Sequence, residues 1–213
     1  MSTQERISEL KKQFRSMMNG VASSSMREKG IEYRVNFGVE TPRLAELASS
    51  IGKDHELAQA LWKENVRECR IMAPMLQPYN SFSTEIADIW LGSIRNQEEA
   101  QYVSMYLLQY LPYADEKVFE WIADDRIFHQ LCGFHTAARL LQTGKRLYGR
   151  EANEFLDQCA SALRSENAAV VRAAYNALQK YAQQNEYQAI SVEEIFDEYS
   201  REREKKGKQQ NNV

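Results

Sequence analysis

Apolar residues recur at helical spacing along most of this chain, beginning with its first segment. Over residues 5–18 the side chains of Ile7, Leu10, Phe14, Met17 and Met18 fall on one stripe, which predicts an amphipathic helix that ends near Gly20. A second, shorter helix is predicted over residues 23–29. The chain therefore opens with helices rather than strands.

The next stretch, residues 30–41, interrupts this pattern. It is rich in β-branched and aromatic residues and contains two glycines, so an irregular connection is predicted there. Thr41 and Pro42 then indicate a helix start, because proline is favoured at the first helical position. From there to about Tyr199 the pattern predicts one helix after another, and Pro74 is expected to kink or restart its helix.

The later helices recur in pairs. In each pair, a first helix with a large apolar residue near its end is followed by a short polar break and a more strongly apolar second helix. The large residues Trp62, Trp90, Trp121 and Leu163 lie 28, 31 and 42 residues apart, which brackets the period of helical-hairpin repeats. The second helices are predicted over residues 67–76, 98–111, 127–141 and 168–181.

One hairpin of this length cannot bury its own apolar face, so neighbouring hairpins must stack. This favours an all-α fold, a right-handed α-α superhelix of HEAT or armadillo-like repeats that forms a single-domain solenoid over residues 1–200. A closed four-helix bundle is the alternative that periodicity leaves open. Residues 201–213 are charged and then amide-rich, with no apolar residue before Val213, which predicts a disordered tail.

The composition agrees with a helical protein of the cell interior. Only nine Gly and four Pro occur among 213 residues, which leaves few turns for a many-stranded sheet. Three widely spaced cysteines inside apolar runs are typical of a reducing compartment. The first ten residues lack an apolar signal core, and no run approaches the roughly 18 apolar residues of a membrane span. We therefore expect a cytoplasmic protein with no membrane partner.

Bulk charge is unlike that of a domain that grips nucleic acid over its whole surface. The formal net charge is -3, so any nucleic-acid face must be local. Second helices line the concave side of a helical solenoid, and basic residues on them predict a stripe that contacts phosphates. Surface ion pairs between these basic residues and Glu64, Glu68 or Glu166 would explain the presence of the basic residues about as well. The predicted nucleic-acid-binding residues are Arg67, Arg70, Arg139, Arg172 and Lys180.

A histidine and cysteine cluster is the candidate metal site. His129, Cys132 and His135 are three residues apart and fall on one side of a predicted helix. Structural zinc normally takes four ligands, and the sequence nominates no fourth. We therefore predict no metal site and no cofactor. The common signatures GxGxxG, GxxxxGKS/T, HExxH and CxxC do not occur in the sequence.

Several short motifs follow one another in a recognisable order. They are Met26-Arg27-Glu28, Phe37-Gly38-Val39-Glu40-Thr41-Pro42-Arg43-Leu44, Leu61-Trp62, Arg67-Glu68-Cys69-Arg70, Phe119-Glu120-Trp121-Ile122 and Val171-Arg172-Ala173-Ala174. Over roughly residues 23–181 the chain thereby resembles the DNA alkylation repair enzymes built from HEAT-like repeats. The resemblance implies a C-shaped α-solenoid that holds duplex DNA in its concave face. It also implies, for active members, excision of positively charged alkylated purines with tryptophans and a carboxylate that stabilises oxocarbenium charge.

The sequence departs from the active pattern where the chemistry lies. The family's Trp-Trp-Asp-x-x-Asp run should fall near residues 96–101, which hold neither tryptophan nor aspartate. Glu98 and Glu99 are the substitute catalytic candidates there. Tyr102 and Tyr175 are the candidates for base stacking, since a stacked aromatic platform would also be needed.

Two further departures concern later helices, where a family tryptophan corresponds to Asn176 and a family arginine to Leu131. Three hypotheses remain. The first is a protein of this family that binds duplex DNA or another polyanion in its concave face, with alkylpurine N-glycosylase activity doubtful. The second is a glycosylase that uses Glu98 or Glu99. The third is a protein-interaction scaffold, which the acidic pI of about 5.8 favours.

Overall fold

The computed structural model describes residues 1–210, and their regular structure is helical. Twelve α-helices and two short 3-10 helices occur in this range, together with one isolated β-bridge between Val35 and Val66. The all-α class predicted from apolar periodicity is therefore confirmed. The chain divides into two compact units, Met1–Pro112 and Tyr113–Val213. The prediction of one continuous domain over residues 1–200 stays a prediction.

The first unit holds α1 (Thr3–Ser16), α2 (Gly20–Glu28), α3 (Thr41–Ile51), α4 (His55–Lys63), α5 (Arg67–Leu76), α6 (Thr84–Gly92) and α7 (Gln97–Tyr106), with 3-10 helices at Tyr79–Ser81 and Leu108–Tyr110. α1 packs on α4, while α5 packs against α3, α4 and α7. α5 is therefore the central helix of this unit, and its residues are buried except Met75.

The second unit holds α8 (Ala114–Ala123), α9 (Ile127–Gln142), α10 (Gly149–Leu163), α11 (Ala168–Ala182) and α12 (Glu186–Gln210). α9 packs between α8 and α11, and α11 also packs against α10 and α12. α8 and α9 approach closely at Gly133, where an added Cβ would lie only 2.6 Å from the backbone nitrogen of Ile122. The glycine is needed for this approach, since a side chain would force the two helices apart.

Local signals set the helix starts and ends. The hydroxyl of Ser2 accepts from the Glu5 amide while the Glu5 carboxylate accepts from the Ser2 amide, which forms a capping box at the start of α1. α3 begins at Thr41 with Pro42 in its first turn, which confirms a helix start here, although Glu40 and not Thr41 is the N-cap residue. α5 continues through Pro74 to Leu76 as one helix, so it does not restart at the proline.

The paired-helix pattern is confirmed by the positions of the large apolar residues. Trp62, Trp90, Trp121 and Leu163 lie on α4, α6, α8 and α10, and all four are buried. The indoles of Trp62 and Trp90 stack with their ring centroids 4.2 Å apart and their planes 5° from parallel. These tryptophans therefore pack successive helix pairs together rather than face solvent.

The irregular connection between α2 and α3 is held tightly against the start of α2. The Asn19 amide donates to the Phe37 carbonyl at 2.9 Å, and the Ser23 hydroxyl donates to the Asn36 carbonyl at 2.9 Å. Gly38 adopts a φ of 71° and has almost no space around it, because an added Cβ would lie 2.2 Å from the Asn19 carbonyl oxygen. Both the positive φ and the close approach require glycine here.

No helix within residues 1–210 is long and apolar enough to cross a bilayer. α12 carries helical backbone through Gln210, into the segment 201–213 for which a disordered tail was predicted. Residues 211–213 lie outside the described residues, and the disorder of the segment stays a prediction.

Candidate functional site

Arg67, at the start of α5, is one of the basic residues predicted to contact phosphate. The structure buries it, with 2% of its surface exposed. Its Nε donates to both carboxylate oxygens of Glu98 at 3.1 and 3.0 Å, and its Nη2 donates to Glu98 at 2.7 Å. Its Nη1 donates to the Val39 carbonyl at 2.9 Å. Burial alone lowers the pKa of Arg67, but the hydrogen bonds and charge of Glu98 raise it above its ordinary value.

Arg70, one helical turn later, is equally buried. It forms a two-pronged bond with Glu99, from Nε at 3.1 Å and from Nη2 at 2.6 Å. Nη1 donates to the Trp62 carbonyl at 2.6 Å, and Nη2 also donates to the Ser93 carbonyl at 2.7 Å. The guanidinium carbon lies 3.6 Å from the centre of the Trp62 ring, which adds a cation–π contact.

Glu68 lies between these two arginines and has no exposed surface. Its carboxylate accepts hydrogen bonds from the backbone amides of Phe37 and Val39, both at 3.2 Å, and lies 3.4 Å from Nη1 of Arg67. The motif Arg67-Glu68-Cys69-Arg70 thus fastens the irregular connection to α5 and joins α5 to the start of α7. The signal available in the sequence was a set of opposite charges about one repeat apart.

This network changes the interpretation of four predicted site residues. A phosphate could reach Arg67 or Arg70 only by displacing carboxylates and carbonyls from the interior, so the prediction of these two as phosphate ligands does not fit their burial. The other two are the candidate catalytic carboxylates. Glu98 has a side chain 13% exposed and is bound by Arg67, whereas Glu99 is 1% exposed and bound by Arg70.

The other predicted basic residues lie in the second unit, on two helices that pack together. Arg139 lies on α9 and is half-buried, near His135. Arg172 lies on α11 and is exposed, and Lys180, on the same helix, is half-buried. These three therefore belong to one pair of adjoining helices, while Arg67 and Arg70 belong to the other unit.

The two predicted stacking tyrosines have different surroundings. Tyr102 on α7 is half-buried, shares a 2.7 Å hydrogen bond between its hydroxyl and that of Thr41, and stacks on Tyr106 with ring centroids 6.0 Å apart. Tyr175 on α11 is 44% exposed, and its ring stacks on Phe196 of α12 at 4.7 Å. Tyr175 therefore offers more free ring surface to a ligand than Tyr102 does.

The histidine and cysteine cluster of α9 is mostly internal. Cys132 and His129 are buried, and His135 is half-buried. No set of three or more His, Cys, Asp or Glu side chains in the described residues is arranged to hold a metal ion.

His135 is expected to make the protein less stable in mild acid. Burial, helped by the charge of Arg139, lowers the pKa of His135 to about 4, whereas the unfolded chain binds a proton near pH 6.5. The free energy of unfolding should therefore fall by about 2–3 kcal/mol as the pH drops from 6.5 to 4. Urea titrations across this range should show that His135→Gln removes this part of the pH dependence; an unchanged pH profile in the variant would contradict the assignment.

A protein-family comparison places these features in context. The family model described as DNA alkylation repair enzyme matches residues 10–191, which is most of the chain. The chain belongs to the DNA alkylation repair enzyme family. No curated protein matches its sequence.

A solved structure supports the fold of this family member independently. The chain is similar to a protein from a family related to the HEAT-like repeat DNA glycosylases, described as having affinity for branched DNA structures. The TM-score is 0.81 at 17% identity, over 93% of this chain and 83% of that chain. The likeness shows a HEAT-like repeat fold, in agreement with the fold predicted from the repeating helix pairs.

Residues 96–101, to which the sequence resemblance assigns the family's catalytic run, lie at the start of α7. Asn96 caps the helix by accepting from the Glu99 amide at 3.0 Å. Glu99 also accepts from the Arg95 amide at 3.0 Å. On the later helices, Leu131 is buried on α9 and Asn176 is exposed on α11.

Proposed function

We propose that this member of the DNA alkylation repair family binds duplex or branched DNA and does not excise alkylated bases. The observation that carries the non-catalytic part of the proposal is the pairing of Arg67 with Glu98 and of Arg70 with Glu99. Glu98 and Glu99 are the two carboxylates within residues 96–101, where the family resemblance places the catalytic run.

Base excision from a cationic purine leaves positive charge on the sugar, and a carboxylate stabilises it only if its own charge is available. Arg67 donates three hydrogen bonds to Glu98 and thereby offsets its charge. Glu99 is bound by Arg70 and by the Arg95 amide, and it has almost no exposed surface. Both carboxylates are therefore committed to holding α5 and α7 together.

The DNA-binding part of the proposal draws on the cations of the second unit. Arg172 is exposed, and no side-chain partner engages its guanidinium in the described part of the chain. Lys180 lies two turns later on the same helix, and Arg139 lies on the adjoining α9. The structurally similar protein is described as having affinity for branched DNA structures, which supports the proposal that this chain also binds DNA.

DNA binding should be measured by titrating a four-way junction and a linear duplex at several salt concentrations. We expect wild-type binding to weaken steeply with salt, and Arg172→Glu with Lys180→Glu to reduce the slope of log K against log salt by about 2, because each phosphate contact contributes about 0.9. The matched control is Arg146→Glu with Arg150→Glu, which makes the same charge change at exposed positions of the same unit. No binding at low salt, or equal slopes for both double variants, would contradict the proposal.

Excision should be tested on the same DNA after methylation. With enzyme in excess, we expect no release of 7-methylguanine or 3-methyladenine by the wild type, because neither Glu98 nor Glu99 offers an uncompensated charge. The control is recovery of both bases on mild acid treatment of the same substrate. Release by the wild type that disappears in Glu98→Gln would overturn the non-catalytic part of the proposal and leave DNA binding standing.

A further inference from the structure

A cleft in the second unit lies where the end of α10, the start of α11 and the later part of α12 meet. Its volume is about 430 Å³, within the range of roughly 300–1,000 Å³ that small-molecule sites occupy. Its apolar floor is formed by Leu163, Ala168 and Val171. Its polar wall contains Arg164, Glu166, Arg172, Tyr199, Glu202 and Arg203.

One of the acidic groups in this wall is already neutralised. Arg164 donates to the two carboxylate oxygens of Glu202 from Nε at 2.8 Å and from Nη2 at 2.7 Å, and also lies 3.4 Å from Glu198. Such a two-pronged pair has a fixed geometry and leaves little negative charge facing the cleft. Glu202 therefore contributes little repulsion toward an anion.

The other two arginines of the wall are available. Neither Arg172 nor Arg203 forms an ion pair within the part of the chain that the structure describes, and both are exposed. The guanidinium carbon of Arg203 lies 5.9 Å from the centre of the Tyr199 ring, which helps to orient it. Among the side chains that line the cleft, three arginines face the two carboxylates of Glu166 and Glu202, so the lining carries one excess positive charge.

We propose that this cleft binds a phosphate group of the DNA backbone through Arg172 and Arg203. The planar guanidinium presents paired N–H donors that match two oxygens of a phosphate, and it is weakly hydrated, which suits it to a partly apolar cleft. The inference rests on the proposed DNA binding for the identity of the ligand. It adds a defined contact point on α12, a helix from which no binding residue was predicted.

The first test uses inorganic phosphate and the full-length protein, without DNA. In ¹H–¹⁵N NMR spectra at constant ionic strength, phosphate should shift the backbone amides of Ser165, Ala168 and Val171 and the side-chain Nε signals of Arg172 and Arg203. The same titration of Arg172→Ala with Arg203→Ala should show no shift at the three amides. Absence of any shift at the cleft of the wild type would overturn the proposal, whatever the DNA measurements show.

The second test asks whether the phosphate belongs to DNA. The double variant Arg172→Ala with Arg203→Ala should reduce the salt slope of DNA binding by about 2, whereas Arg146→Ala with Arg150→Ala should leave it unchanged. If the wild type binds DNA and both variants have the wild-type slope, this inference and the assignment of Arg172 as a phosphate contact fail, while DNA binding by the wild type stands. If phosphate shifts the cleft but no DNA binds, the proposed function fails, and with it the assignment of the ligand to DNA. A phosphopeptide that then shifts the same signals would reassign the cleft to a protein partner.

Discussion

Replacing Arg70 with alanine is expected to lower the free energy of unfolding of the first unit by about 3–5 kcal/mol, the usual effect of removing one partner from a buried ion pair. The variant leaves the Glu99 carboxylate inside the fold with no opposite charge, and the carbonyls of Trp62 and Ser93 lose their donor. It also removes the cation from the face of the Trp62 ring. Urea titration followed by circular dichroism measures the change.

Two control variants make this result specific. Arg43→Ala removes an arginine from the exposed face of α3 and should change stability by no more than about 0.5 kcal/mol. Arg70→Met combined with Glu99→Met removes both charges at similar volume and should recover most of the lost stability, since apolar replacement of a whole buried pair is often close to neutral. A loss of under about 1 kcal/mol in Arg70→Ala would show that Glu99 reaches water in solution.

The second large effect is expected from Gly38→Ala. An alanine at the φ of 71° costs about 1–2 kcal/mol by itself. Its Cβ would also lie 2.2 Å from the Asn19 carbonyl oxygen and 2.8 Å from the Ser23 amide nitrogen, both backbone atoms that cannot rotate away. We therefore expect a total loss of about 3 kcal/mol or more, through displacement of the connection from the start of α2.

Gly30→Ala is the matched control for this substitution. Gly30 has a similar φ of 79° in the same connection, but nothing lies within 4 Å of its added Cβ. It should therefore show only the conformational cost of about 1–2 kcal/mol. Equal losses in the two variants, measured by the same urea titration, would mean that the close approach at Gly38 does not constrain the fold.

The helices were predictable because apolar spacing reports directly which face of a helix is covered. The tryptophans of α4 and α6 illustrate this. They lie about one repeat apart in sequence, and in the structure their rings stack directly on each other. The division into two compact units was not predictable from the same pattern. Stacked repeats look alike in sequence whether the contacts between them are dense or sparse.

The candidate site was less accessible to sequence reasoning, and Arg67 and Arg70 show why. An arginine on an amphipathic helix normally indicates the solvent face, but α5 is covered on nearly all sides. Their main partners, Glu98 and Glu99, lie 31 and 29 residues away, so the pairs show only in a comparison of successive repeats and not in the spacing along one helix. Arg203 was missed for a different reason. Its segment contains almost no apolar residues, so the sequence predicted a disordered tail there, whereas the structure places Arg203 in the lining of a cleft.

The buried arginine–glutamate pairs also fix how many repeats the first unit can contain. In arrays joined by apolar contacts alone, one repeat can be deleted or duplicated with a roughly additive change in stability. Here a deletion of α6 and α7 would strand two interior guanidinium groups, and a duplication would leave extra carboxylates with no cation to meet. Adding or deleting single repeats, which helical-repeat proteins usually tolerate, is therefore expected to destabilise this unit unless both members of each arginine–glutamate pair are added or deleted together.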